Sequence, residues 1–433
     1  MSYYEFTILL HDKVNLYIIS IICSAIFYFF LYRNKIRSLL DPFLMAILAS
    51  CIGLSVIIFL KLTENISTFF FYQYIFSQIA FLLGFFCNKY QIRDFSIQPY
   101  STAILQPHKY NISKRYYYFF IATSSIYILL KLYTYKVVGI PLFLEYRLAA
   151  VGVGGGFGLI NRIVNTFSIM TIYWALFFIQ TDYKKSAKIV LSFYILFIIL
   201  SGSKGSFLTL FQSIFVFLFI NKDLFQCQLK IYNSKAKLFF LIAFIAAIGV
   251  LFISKNNLEE AIQALVFRIV SYGDTYYLAY PNNVISRLTS SDWWVALTGD
   301  LLRTIRLIPE EKALPGMGFE IMEIANHATN VLAGPNPRHN IFGYVHFGYL
   351  GGIIYSFSCG FIMSYIYKKF YSNSIHYLSQ FRRMFLFIFY IAGTSIETDP
   401  QSFVSIFNNL IIIFLPYYLI ENLFSKYSKI YNQ

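Results

Sequence analysis

Arginine is concentrated in one stretch of the chain, between residues 255 and 340. The basic residues there are mainly arginines: Arg268, Arg287, Arg303, Arg306 and Arg338. A guanidinium is a planar fork that binds phosphate through two hydrogen bonds, which an ammonium cannot do. Arg303 and Arg306 are three positions apart, and this spacing predicts a shared helix face. We therefore expect this stretch to bind an anionic headgroup, with ordinary solvated arginines as the alternative.

Two further segments combine a basic residue with glycine. Arg147 precedes the glycine-rich run that ends at Gly158, and glycines let backbone amides approach an anion closely. Lys204 lies in the segment Ser201–Ser206, between two apolar runs. A lysine there must reach the interface, pair with an acid or bind an anion. A flexible turn and a lysine that simply extends to the interface are the alternative interpretations.

Arg338 and His339 follow the stiff sequence Pro335-Asn336-Pro337. Because each proline fixes its own φ angle, this approach predicts that both side chains are presented at a defined point on the membrane surface. A neutral histidine can act as a general base toward a hydroxyl. The alternative is that His339 is only a structural hydrogen-bond partner.

The carboxylates form a weaker pattern. Asp274 follows Tyr272-Gly273, and we keep it as a candidate substrate ligand. Glu320 and Glu323 share a predicted helix with His327, and Glu397 and Asp399 end a predicted span; the chain has no Asp-x-Asp pair. We therefore expect no metal ion and no cofactor, so that arginines neutralise any bound phosphate.

These residues must be positioned by membrane helices. The chain is 58% hydrophobic and only 13% charged, with a mean hydropathy of +0.60, whereas a soluble protein is roughly 25% charged. A span needs ~20 mostly apolar residues, and on that basis we predict an all-α integral membrane protein with about eleven spans. The predicted spans lie near residues 15–32, 42–61, 68–87, 114–133, 160–181, 187–203, 205–221, 236–254, 341–367, 383–398 and 402–420.

The net charge is +15, and the distribution of the basic residues along the chain indicates membrane topology and not a nucleic-acid partner. Lysines and some arginines cluster in the short segments after alternate spans, as expected for loops retained in the cytoplasm. This pattern predicts an N-terminus outside and a C-terminus in the cytoplasm. The chain is then a single polytopic domain with two outer segments, 134–159 and 255–340.

The second outer segment has a helical pattern. Leu258, Ile262, Leu265 and Ile269 recur at helical spacing, and Ser291-Asp292 offers an N-cap before Trp293. We expect the helix that starts there to be amphipathic and to lie at the membrane interface.

Several short motifs resemble those of the O-antigen polymerases of the Wzy type, which join oligosaccharide repeat units in Gram-negative bacteria. The spacing from Arg147 to Gly158 is similar to the Arg-x10-Gly pattern of that family's outer loops. Ser201-Gly-Ser-Lys-Gly205 resembles its Ser-x-Ser-Arg-Gly turn, with Lys204 in place of arginine. His339-Asn340 followed by Gly348 and Gly351 resembles the entry to a late span, also found in O-antigen ligases. A second Arg-x10-Gly is absent, since no glycine stands at 349.

The resemblance implies a GT-C-like glycosyltransferase of the inner membrane that acts at the periplasmic face in lipopolysaccharide biosynthesis. Donor and acceptor would be oligosaccharides linked to undecaprenyl pyrophosphate, and a chain-length regulator is a candidate partner. Arg147, Arg338 and either Arg303 or Arg306 would hold the departing pyrophosphate, with Gly158, Lys204, Arg268 and Asp274 as further substrate contacts. His339 would be the base or orient the acceptor. An O-antigen ligase and, from a different class, a flippase or other transporter of lipid-linked oligosaccharide are the alternatives.

Overall fold

The computed structural model describes residues 1–88, 114–144, 157–203, 205–255, 257–309, 316–327 and 334–411. Within these ranges the chain is helical and contains no strand. The first helices are α1 (Tyr3–Asp12), α2 (Val14–Tyr32), α3 (Pro42–Leu62), α4 (Thr68–Cys87), α5 (Lys114–Val138), α6 (Phe157–Phe178), α7 (Lys184–Leu200) and α8 (Ser206–Ile220). They are followed by α9 (Lys222–Ser234), α10 (Ala236–Lys255), α11 (Leu258–Val270), α12 (Asp274–Ala279), α13 (Trp293–Thr304), α14 (Met317–Asn326), α15 (His339–Phe370) and α16 (Gln380–Gly393). Residues 400–411 are also helical.

Five of the described helices are long and apolar enough to cross a membrane: α2, α3, α4, α5 with the turn after it, and α15. A sixth is added if α9 and α10, bent by 63° at their junction, form one span. The prediction of an all-helical membrane protein is confirmed at this level. The count of eleven spans and the GT-C-like arrangement stay predictions, and the last predicted span lies partly outside the described residues.

A buried carboxylate joins three helices at one end of the bundle. Asp41 caps α3 by accepting a hydrogen bond from the Phe43 amide at 3.0 Å, and Pro42 occupies the first helical position. The same carboxylate accepts from the Tyr390 hydroxyl of α16 at 2.6 Å and from the Tyr371 hydroxyl at the end of α15. Asp41 therefore fixes where α3 begins relative to α15 and α16.

Helices α4 and α15 are in backbone contact because each contributes a glycine where they cross. A Cβ on Gly360 would lie 2.0 Å from the Phe81 carbonyl oxygen, and one on Gly84 would lie 2.1 Å from that of Phe357. Small residues are the usual means by which membrane helices approach this closely. Only glycine fits at either position.

Helix α15 is bent into a hairpin at Gly348, which has φ +70 and ψ −169, a region that essentially only glycine occupies. The Nδ1 atom of His339 lies 2.9 Å from the Ser356 hydroxyl, although 17 residues of straight helix would separate them by ~25 Å. A Cβ on Gly343 would be 3.1 Å from the Cα of Gly352, so the two arms pack against each other along their length. The span predicted over 341–367 is therefore not one straight helix: residues 339–347 fold back on the rest.

The lysine-containing segment between the predicted spans 205–221 and 236–254 is itself helical in the structure. It forms α9, which runs back along α8: the Tyr232 hydroxyl donates to the Phe211 carbonyl at 3.1 Å. The Tyr232 ring also stacks on Phe239 of α10 at 4.4 Å. Helix α9 buries Phe225 and Leu229, and the side of the membrane on which its lysines lie stays a prediction.

The second outer segment is helical, as predicted, with α11 starting at Leu258 and α13 at Trp293. The N-terminal helix packs on it: the Phe6 and Tyr277 rings stack at 3.8 Å, and the Tyr3 amide donates to Asn326 Oδ1 at 3.1 Å. The N-terminus and this segment therefore lie on one face of the molecule. Which side of the membrane that face occupies stays a prediction.

The glycine contact between α4 and α15 predicts a large asymmetry between two valine substitutions. Gly360→Val should lower the free energy of unfolding by about 3 kcal/mol or abolish folding, because overpacking against backbone cannot relax. Gly249→Val in α10 is the control, since a Cβ there meets nothing within 4 Å. Thermal unfolding in detergent measures both, and equal midpoints for the two variants would contradict the crossing.

Candidate functional site

Arg338 lies inside the helical body. It is 3% exposed, and its Nη2 donates to the Ala49 carbonyl at 2.9 Å and to the Tyr272 carbonyl. Its guanidinium carbon stands 5.2 Å from the centre of the Tyr276 ring. A Cβ on Gly53 would be 3.1 Å from Nη1, so the side chain rests against the middle of α3. The carbonyls and the ring compensate the cost of burying the charge.

His339 is fully buried beside it. Its ring stacks on Phe81 at 4.8 Å, and its Nδ1 is 2.9 Å from the Ser356 hydroxyl. That hydroxyl donates its own proton to the Gly352 carbonyl at 2.8 Å, so we infer that Nδ1 carries the histidine proton. Nε2 is then the nitrogen with the lone pair, and it has no hydrogen-bond partner among the described residues. The expectation that Arg338 and His339 stand on the membrane surface was wrong, because the hairpin draws them inward.

Asn340 is the centre of a buried hydrogen-bond network. Its Oδ1 accepts from the Tyr276 hydroxyl at 2.7 Å, and its Nδ2 donates to Ser77 at 3.0 Å and to Gln78 Oε1 at 3.3 Å. Its carbonyl accepts from Gln73 Nε2 at 3.1 Å. Asn340 therefore connects the outer segment to α4 and to the start of α15.

Glu397 extends the network past the end of α16. Its Oε1 accepts from Gln78 Nε2 at 2.9 Å, and its carbonyl accepts from the His339 amide at 3.4 Å. The Tyr28 hydroxyl of α2 accepts from the same Gln78 nitrogen at 3.1 Å. One glutamine side chain thus links α2, α4 and the segment after α16 around Asn340.

Asp274 lies at the edge of this cluster, at the first position of α12. Its Oδ1 accepts from the Thr275 amide at 2.8 Å. Burial raises the pKa of Asp274 to about 6, and the opposing effects of Arg338 and Arg268 do not cancel it. The structure therefore brings three predicted site residues, Arg338, His339 and Asp274, into one region, while the Arg268 side chain at its border is exposed.

Gly158, a predicted site residue, lies near a second group of polar side chains at the N-terminal end of α6. A Cβ on Gly158 would be 3.7 Å from the Thr304 hydroxyl, which accepts from Arg162 Nε at 3.2 Å. Arg162 Nη1 donates to Ser405 at 3.2 Å and to Asn409 at 2.8 Å. The end of the first outer segment, the end of α13 and the helix over 400–411 thus converge on one buried guanidinium.

Arg303 is the residue before Thr304 in α13, and its side chain is exposed. The spacing predicted that Arg306 shares a helix face with Arg303, and this prediction was wrong. Helix α13 ends at Thr304, and Arg306 has φ +58. Its amide instead donates to the Arg303 carbonyl at 2.9 Å in a tight turn. Arg147 and Lys204 lie outside the described residues.

Sequence reasoning missed Arg162, Asn340 and the two glutamines of α4. Arg162 is a charged residue within a predicted span, which is rare unless it is functional or paired, and this was the available signal. Gln73 and Ser77 share one face of α4, since they are four residues apart, and Gln78 is the next residue along the helix. No signal marked Asn340 as the centre, because its partners lie more than 60 residues away along the chain.

Within the residues that the structure describes, no group of three histidine, cysteine, aspartate or glutamate side chains could hold a metal ion. Comparisons with protein-family models, with curated proteins and with solved structures give no match to this chain. The functional interpretation therefore depends on the sequence motifs and on the two groups of side chains described above.

Replacing Asn340 should disrupt the buried network. Asn340→Leu removes the acceptor of the Tyr276 hydroxyl and the donor to the Ser77 hydroxyl oxygen and to Gln78 Oε1. Each buried group that is left unsatisfied costs about 1–3 kcal/mol. Gln212→Met is the matched control, since Gln212 is a buried amide whose Nε2 makes no hydrogen bond among the described residues. Unfolding in detergent should show a large loss for the first variant and little change for the second; similar losses would contradict the network.

Asp274 should make the protein less stable as the pH rises. Because the folded-state pKa is raised from 3.8 to about 6, the folded protein binds this proton more tightly than the unfolded chain does. The resulting stability is present below pH 4 and is lost between about pH 4 and 6, at most about 3 kcal/mol. Asp274→Asn should remove this part of the pH dependence. Unfolding midpoints of both proteins at pH 4.5 and 7 test this, and parallel pH profiles would refute it.

Proposed function

We propose that this chain is a glycosyltransferase of the O-antigen polymerase type, which joins oligosaccharides carried on a membrane-bound pyrophosphate lipid. The observation that carries the proposal is the meeting of Gly158, Arg162 and Thr304 at the end of α6. The sequence motifs predicted a role for the Arg147–Gly158 segment and for Arg303 separately. The proximity of Gly158 to Thr304, which directly follows Arg303, supports one site to which both outer segments contribute.

The reaction that we propose transfers the growing chain from its lipid pyrophosphate to a sugar hydroxyl of an incoming unit. The hydroxyl oxygen forms a bond to the anomeric carbon, the bond from that carbon to the pyrophosphate oxygen breaks, and the hydroxyl proton goes to a base. The leaving pyrophosphate takes the electron pair and gains negative charge. Cations placed beforehand around this charge lower the barrier, and one such donor contributes roughly 10²–10³ in rate.

Arg162 and Arg303 are the residues that we assign to the pyrophosphate. The hydroxyl and amide groups of Thr304, Ser405 and Asn409 hold Arg162 in one orientation. Arg303 directly precedes Thr304 in the chain and is exposed, so it is accessible to a lipid-linked ligand. A fixed guanidinium costs little reorganisation during the reaction, which is the condition under which electrostatic stabilisation is effective.

Arg338 then has a positioning role, because its guanidinium is occupied by two backbone carbonyls and the Tyr276 ring. We keep His339 as the proposed base, since the unprotonated Nε2 is the nitrogen that makes no hydrogen bond to any residue that the structure describes. The ring is fully buried in this conformation. The role therefore requires residues 339–347 to move about Gly348 when the acceptor binds.

The polymerase proposal is tested by lipopolysaccharide banding on a gel from a strain that lacks this gene, with and without the gene restored. We expect the ladder to collapse to core plus one repeat and to return on complementation. Loss of even the single repeat would favour the ligase or the flippase instead. An unchanged ladder would refute all three.

Site variants provide a sharper test in the complemented strain. Arg303→Gln and Arg162→Gln should each lower polymer formation by about 10²-fold or more, because a cation beside the leaving group is lost. Arg287→Gln is the matched control: Arg287 is also an exposed arginine of the second outer segment, but it donates only weakly, to Asn282 at 3.4 Å. Equal polymer length in all three at normal expression, or unchanged length in His339→Ala and Arg338→Ala, would overturn these assignments.

A further inference from the structure

Helix α13 and the turn after it expose an apolar surface. Trp293 is 60% exposed and Trp294 44%, and in the following turn Ile305 is 43% and Leu307 69% exposed. These residues define the α13 surface. They belong to the second outer segment, which connects α10 to α15. A water-facing helix normally presents polar side chains at such positions, so the exposed residues call for a covering partner.

The other side of α13 is already covered by the helical body. Ala296 is buried, and its carbonyl accepts a hydrogen bond from Gln401 Nε2 at 3.0 Å. Thr304 at the C-terminal end is held by Arg162 at 3.2 Å. Both ends of α13 are therefore attached to the bundle, and the α13 surface is directed away from it in a fixed orientation.

Charge accompanies the apolar side chains. Arg303 and Arg306 are both exposed within and next to the α13 surface. Two exposed tryptophans together with two arginines match the composition of helices that lie in the headgroup layer, where indole rings and basic groups are both favourable. A second protein covering this surface would have to be anionic and apolar together, and a phospholipid layer already has both properties.

We infer that the α13 surface docks onto the membrane itself, with Trp293 and Trp294 in the headgroup layer and Arg303 and Arg306 on lipid phosphates. The chain is tethered at the bilayer by its apolar helices, so no diffusional search is needed. Docking places Gly158, Arg162 and Thr304 at headgroup depth, which is where the phosphates of a lipid-linked ligand lie. The inference does not depend on the proposed glycosyl transfer, and it can fail or succeed separately.

Tryptophan fluorescence provides the test, because the chain has only three tryptophans. Trp174 is fully buried and stacks on Tyr116 at 5.2 Å, so it serves as the internal reference. The full chain is reconstituted into phosphatidylcholine vesicles, alone and with phosphatidylglycerol. Emission of the wild type minus that of the Trp293→Phe/Trp294→Phe double variant isolates the two tryptophans of the α13 surface.

We expect a nitroxide near the lipid headgroup to quench this difference signal roughly twofold more than one near the chain end, with little quenching by aqueous iodide. At equal mole fraction, headgroup-labelled phosphatidylglycerol should quench more than labelled phosphatidylcholine, and Arg303→Gln/Arg306→Gln should abolish that preference. Strong iodide quenching without nitroxide quenching would overturn the inference, since the surface would then face water. If the nitroxide lipids quench only after the protein has been diluted in lipid, the inference is also overturned. A second copy of the chain would then cover the α13 surface at the higher protein concentration.

Discussion

A charged guanidinium inside a helical bundle must be satisfied by its surroundings, and much of the central architecture follows from how Arg338 is held. It is bound by the carbonyls of Ala49 and Tyr272 and covered by the Tyr276 ring. Those contacts draw the second outer segment down against the middle of α3. They are possible only because Gly53 leaves space for the side chain. An unpaired charge at this depth would cost far more than a single mutation normally does, so the segment and α3 are mutually dependent.

The neighbouring residues extend that dependence to the other helices. Asn340 satisfies groups on α4 and α12, and Gln78 passes the network on to Tyr28 and Glu397. A buried polar network of this kind favours one arrangement because every partner must be in place at once. The glycine contact between α4 and α15 has the same effect through packing, since neither helix can slide without a backbone clash.

The segment after α16 connects the two groups of site residues. Glu397 lies against His339, Gln401 binds α13, and Ser405 and Asn409 bind Arg162. Eight residues therefore separate Glu397 in the buried network from Ser405 at the cationic group near α6. Movement of the hairpin at Gly348 would be felt by Glu397 first, which gives a physical connection between the proposed base and the proposed pyrophosphate contacts.

The sequence by itself determined that this protein has apolar segments suited to a lipid bilayer and that its secondary structure is helical. Long apolar runs can satisfy their backbone in lipid only as helices, so the all-helical class follows from composition. Helical spacing was sufficient to place the start of α11, and the Ser291-Asp292 pair placed the start of α13. Interactions over long distances in sequence decided the rest. The hairpin at Gly348, the return of α9 along α8 and the burial of Arg338 each depend on partners that no local pattern identifies. Arg306 shows the same limit, because three-residue spacing implies a shared face only while the helix continues, and α13 ends between the two arginines.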